Sequence, residues 1–155
     1  MGPRPSLVAV MLELLEPRQG QRILTIGSGS GWVTGLLAYV VGIEGKVIAF
    51  ERLSEMHIWG QENLEKFDFI KSGQVECILG EGKEGYPIGL PFDRILVTAS
   101  AEEVPMALQN QLILSGKMVI PIHNHLWYFE KRSEGELYKE EYPGFIFMPL
   151  ILKSF

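Results

Sequence analysis

The stretch "LTIGSGSGW", Leu24 to Trp32, decides how this chain is read. A short apolar, β-like run enters three glycines alternating with two serines, and a helical apolar run leaves them. Bare backbone at a strand-to-helix turn lets a ligand come close to the main chain. In open α/β sheets ligands sit beyond the carboxyl ends of the strands. The dinucleotide fingerprint G-x-G-x-x-G fits Gly27 and Gly29, but its last glycine falls on Trp32. The pattern present is G-x-G-x-G through Gly31, which suits an adenosyl ligand without a pyrophosphate.

Working outward, "RILTI" before the loop reads as a buried strand, and a helix is expected from about Gly31 to Val41. "GKVIAF", "QVECIL", "DRILVTA" and "GKMVIPI" read as further strands. Between them, helices are expected from about Leu53 to Phe67 and over "EEVPMALQNQLI". Upstream, Pro5 to Glu16 places Leu7, Val8, Met11, Leu12 and Leu15 on one helical face, with Ser6 as N-cap. After "GKMVIPI", "LWYFEKR" and "ELYKEEYPGFIFMPLIL" alternate around a turn at Ser133 to Gly135, a hairpin. Apolar strands alternating with helices imply a parallel sheet covered on both faces. The reading is one doubly wound α/β domain over 1–155, with an antiparallel hairpin at its end.

The 155 residues are 46% hydrophobic and 21% charged, a globular composition. A net charge of −5 with no basic block argues against duplex nucleic acid as a partner. "LVAVMLELL" is too short to span a bilayer and is interrupted by Glu13, so no membrane association is expected. Cys77 is the only cysteine, which removes internal disulfides and fits a reducing, cytoplasmic setting. His123 and His125 are spaced as a pair on one strand face, but no third ligand is evident and no metal is expected. Trp59, Phe67 and Phe69 read as core or helix-packing groups.

Two acids strengthen the loop. Glu51 closes the second strand, where a carboxylate can accept both hydroxyls of a ribose. Glu81, between Gly80 and Gly82, follows the third strand and could meet an adenine amino group. By position after the fourth and fifth strands, Thr98, Ala99, Ser100 and His123 lie nearest the reacting atoms. Thr98 and Ser100 are the catalytic candidates, able to bind a substrate oxygen or to cap the next helix, and Ala99 and His123 are the substrate candidates.

These residues resemble the class I S-adenosylmethionine-dependent methyltransferases and, within them, the protein-L-isoaspartate O-methyltransferase family. The likeness runs through "LTIGSGSGW", "LLAYVVGIEGKVIAFER", "ILGEGKEGYP", "PFDRILVTASAEEVPMALQNQLILSGKMVIPI" and "GFIFMPL", from about Pro5 to Leu150. It implies a mostly parallel, seven-stranded, Rossmann-like sheet and S-adenosylmethionine (SAM) held by Thr25, Gly27, Ser28, Gly29, Gly31, Glu51, Arg52, Glu81 and Gly82. The implied acceptor is a carboxylate of a protein or peptide. A carboxylate is ionised at neutral pH and needs no general base. Three departures stand out. Thr25 replaces an acid that helps hold the methionine end, Glu81 replaces an aspartate, and the family's Thr-Ile-Ser segment falls on Met1, Gly2 and Pro3. The resemblance thus implies a short form without the substrate-gripping N-terminal segment. Two alternatives stay open: a different acceptor, such as lysine or a small molecule, or a SAM-binding module without turnover.

Overall fold

A computed structural model describes residues 4–86 and 91–144. Seven strands form one sheet in the order β3-β2-β1-β4-β5-β6-β7. They are β1 (Arg22–Ile26), β2 (Lys46–Glu51), β3 (Val75–Leu79), β4 (Phe92–Val97), β5 (Leu112–Ile122), β6 (His125–Ser133) and β7 (Glu136–Pro143). β1 to β5 pair in parallel, and β6 and β7 close the sheet as an antiparallel hairpin. The closing segment "GFIFMPL" lies, beyond its Gly144, outside the described residues.

Side chains alternate across each strand, so β1 feeds two cores. Ile23 joins Val47, Leu96 and Val119 against α1 (Pro5–Leu15), α2 (Trp32–Val41) and α3 (Ser54–Glu65), where Met11, Leu15, Leu37, Ala38 and Leu64 are buried. Leu24 and Ile26 join Ile48, Phe50, Ile95 and Met118 on the opposite face with Leu108 of α4 (Met106–Gln111). Helices on both faces are what a parallel sheet requires, because neither face can be left to water. Among the described residues no helix is long and apolar enough to cross a membrane.

Several local expectations change. The N-cap position falls on Arg4, without a side-chain bond to the helix, and not on Ser6, because Pro5 occupies the first helical turn where its missing N–H costs nothing. α3 buries only Gly60 and Leu64, so Trp59 stands half exposed, and Phe67, beyond the helix end at Glu65, is exposed as well instead of joining the core. β5 starts at Leu112, four residues before the expected Gly116, and the helix ahead of it is correspondingly short. The pairing explains why. Phe92 faces Leu112 but Arg94 faces Lys117, so β5 carries a bulge through Ser115, whose φ is 67°.

Cys77 in β3 is partly buried, and that burial, with the Glu76 carboxylate adding to it, pushes its thiol up to about 11. A raised value means folding favours the protonated thiol. The stabilisation is complete below the ordinary thiol range and is lost as pH climbs through about 11. Urea midpoints measured between neutral and strongly alkaline pH should therefore fall less steeply for Cys77→Ala than for the parent. Equal slopes would show that the thiol does not contribute.

Candidate functional site

The strand order reverses between β1 and β4: from β1 the chain proceeds outward to β2 and β3, then returns to β4 on the other side. At such a switch point, beyond the carboxyl ends of the strands, ligands of open α/β sheets bind. The registers Ile26↔Phe50, Ile26↔Val97 and Glu51↔Leu79 align four loops on this one edge. They are Gly27–Gly31, the residues after Glu51, Gly80–Gly82 and Thr98–Ala101.

Within the first loop Gly27, Gly29 and Gly31 all have positive φ, at 93°, 54° and 90°. A side chain is barred on spatial grounds too: a Cβ at Gly27 would stand 2.5 Å from Thr98 Oγ1. The loop's N–H groups are directed inward. Gly27 and Ser28 donate to the Phe50 carbonyl, Gly29 donates to Glu51 Oε1, and Gly31 donates to the Ser28 carbonyl. The amides of Gly27, Ser28, Gly29 and Gly31 are thus taken up within the protein, and the glycines allow close approach of backbone to backbone.

Glu51 is buried, and both its oxygens are engaged: Gly29 N–H at 2.7 Å and Leu53 N–H at 2.9 Å. Each carboxylate oxygen has a second lone pair, so the group can still accept from a diol. Gly80 N–H donates to the Glu51 carbonyl, bringing the third strand's loop alongside. Gly82 has φ 78° and packs so tightly on Ile26 and Phe50 that a Cβ would stand 3.0 Å from each. Glu81 is half exposed and pairs with Lys83 at 3.5 Å. Arg52 follows Glu51 on the same edge, partly buried. Thr25 differs from the rest, being buried in mid-strand between Ala49 and Leu96.

Thr98 donates its hydroxyl to the Gly27 carbonyl at 2.8 Å, with the Ile26 carbonyl 3.1 Å away. Ser100 donates to the His123 carbonyl at 3.0 Å, and His123 N–H donates to the Ala101 carbonyl. The loops after β4 and β5 are thereby laced together, with Ala99 between the two hydroxyls. Both hydroxyl protons are spent within the protein, which leaves the oxygens as acceptors. His123 is exposed and left-handed, with φ 56°. His125 does not share its setting but pairs with Glu141 on the hairpin. Among the described residues no group of three potential ligands could hold a metal.

Two residues absent from the sequence reading touch the glycine loop. Gly60 of α3 packs against Gly29 and Gly31, and Asn63 donates to the Ser30 carbonyl at 2.9 Å. A glycine in mid-helix is a visible signal, because helix propensity disfavours it without a packing reason.

The chain matches the family described as Protein-L-isoaspartate(D-aspartate) O-methyltransferase (PCMT) over residues 3–154. A protein-L-isoaspartate O-methyltransferase of Methanopyrus kandleri is 42% identical over 151 residues, covering 95% of this chain and 66% of its own. The Pyrococcus horikoshii enzyme of the same name is 39% identical, with 95% and 67% covered. A solved protein-L-isoaspartate O-methyltransferase superposes with a TM-score of 0.85 at 28% identity, covering 94% of this chain and 46% of its own. A Plasmodium falciparum structure of the same enzyme name, in complex with S-adenosyl-L-homocysteine, gives a TM-score of 0.85 at 26% identity, with 95% and 74% covered. The chain thus spans about two thirds of the length of these two sequence relatives.

Glu51→Gln should destabilise the fold by about 2 kcal/mol, as expected for hydrogen bonds to a charged acceptor. One of the two amides, Gly29 or Leu53, would then face an N–H₂ group instead of an oxygen. Urea denaturation measures this, and an unchanged midpoint would mean that the carboxylate does not tie the loop.

Proposed function

The chain belongs to the protein-L-isoaspartate(D-aspartate) O-methyltransferase family, and from that premise we propose that it methylates a carboxylate of a protein or peptide with SAM as donor, in protein repair. The observation that carries this is the gathering, on one sheet edge, of a side-chain-free loop, a buried carboxylate and a second glycine turn. Residues 1–155 act as one methyltransferase domain in this reading, and the lone cysteine supports a cytoplasmic setting.

The residues fit the cofactor. Gly27, Ser28, Gly29 and Gly31 present a surface without large side chains for its amino-acid tail. Glu51 offers free lone pairs to the ribose hydroxyls, with Arg52 beside it, while Glu81 and Gly82 border the adenine. Thr25 is buried beneath the loop and supports it from within the sheet. Bound there, SAM supplies a sulfonium methyl group to the acceptor oxygen. The protein's contribution is alignment, because an ionised carboxylate needs no base. Thr98 and Ser100 fix the loop that faces the acceptor, and their oxygens can accept from a substrate amide. Ala99 leaves room between them, and His123 borders the entrance.

Incubation with SAM and an isoaspartyl peptide should add one methyl group, read by mass spectrometry, as an ester lost under mild base. A base-stable product on ordinary protein would move the acceptor to lysine. Absence of cofactor binding at millimolar SAM would remove the proposal.

His123 is a second point of test. A non-glycine residue in the left-handed region costs on the order of 1 kcal/mol. His123→Gly should therefore raise stability by about that amount while lowering kcat/KM for the peptide. Higher stability with unchanged kinetics would show that the imidazole contacts no substrate.

A further inference from the structure

Between the glycine loop and α3 lies a contact that ordinary helix packing does not require. Gly60 sits inside α3, where glycine is the least favoured residue apart from proline. A Cβ there would stand 2.5 Å from the Gly29 carbonyl oxygen and 3.5 Å from the Gly31 nitrogen. The fit is reciprocal, since a Cβ at Gly31 would stand 2.9 Å from the Gly60 carbonyl. Backbone thus lies on backbone, with no flexible side chain to yield.

One turn further, Asn63 donates its amide to the Ser30 carbonyl at 2.9 Å, and Leu64 closes the contact under Gly31. Three consecutive loop residues are therefore held from α3. Gly29, the first of these residues, is also held by Glu51, which receives its N–H together with that of Leu53 at the start of α3. A displacement of α3 would shift the loop and the carboxylate together.

We propose that Gly60 and Asn63 are positioning residues that set the glycine loop and, through it, the orientation of Glu51 for an adenosyl ligand. The ligand class rests on the proposed function, whereas the mechanical coupling does not. Neither residue needs to touch the ligand. Gly60 acts by admitting the loop, Asn63 by fixing the Ser30 carbonyl.

The test uses Gly60→Ala, Asn63→Ala and Asn63→Asp, with Gln61→Ala on the exposed side of α3 as control. Two quantities are read: amide hydrogen exchange of residues 29–31 without ligand, and the SAM dissociation constant by calorimetry. Gly60→Ala should speed exchange in the loop and weaken SAM binding roughly tenfold to a hundredfold, the scale on which displacements of about 1 Å act. Its helix content should hold or rise, because alanine is the better helix former. Asn63→Asp, which sets a carboxylate against a carbonyl, should act in the same direction and more strongly than Asn63→Ala. If loop exchange in all three variants matches the control, or if exchange rises while SAM affinity is unchanged, the proposal fails. Should Gly60→Ala not fold, the two Asn63 variants decide. A parent that binds no SAM but whose variants still loosen the loop would overturn the methyltransferase reading and leave the coupling standing.

Discussion

The site depends on one buried carboxylate. Glu51 ends β2, and its two oxygens take one N–H from the glycine loop and one from the entry to α3. The end of β2, the start of α3 and a glycine loop 22 residues earlier in sequence are thereby joined at a single anion. Such charge-assisted bonds are roughly twice as strong as neutral ones, and their strength grows where water is excluded. The carboxylate proposed to meet the ribose is thus already part of the framework. A ligand arriving there finds the acceptor oriented by the protein rather than by the ligand.

That arrangement works only because the sheet presents its strand ends in register. Ile26 and Val97 end their strands at the level of Phe50, the residue before the last of β2, so the loops leave from one edge. The two cores lock this level from both faces, through Ile23 and Leu37 on one side and Leu24, Ile48 and Ile95 on the other. A slip of one residue in any central strand would move its apolar side chains to the wrong face, which makes the register costly to lose. The hairpin of β6 and β7 extends the sheet beyond the switch without altering it.

The central strands were legible because each is a short apolar run bounded by glycine, proline or charge. The glycine loop and Glu51 were legible because their spacing has a geometric meaning on a parallel sheet. The start of β5 was not, since the bulge at Ser115 is set by pairing with Phe92 and Arg94, a contact about twenty residues distant in sequence. The exposure of Trp59 was hidden for a related reason: apolar residue type does not say which side of a helix meets the sheet. Likewise, Thr98 and Ser100 announce hydroxyls near the site, but the fold decides that both protons go to backbone carbonyls.

This inward use of donors carries a consequence for how the site achieves shape. A loop whose amides were left for the ligand would carry unsatisfied groups whenever it was empty, at a cost of roughly 1–3 kcal/mol each when buried. Here Gly27, Ser28, Gly29 and Gly31 are satisfied by Phe50, Glu51 and Ser28 without a ligand. Glycine takes the left-handed angles that direct those amides inward without the cost a side chain would bring, so the three glycines and the internal hydrogen bonds are one device seen from two sides. The entropy of ordering the loop is met during folding, which leaves binding energy available for alignment of the reacting groups. For the proposed transfer, which needs no general base, alignment is the main thing a protein can add, and a loop whose amides are already bonded internally is suited to supply it.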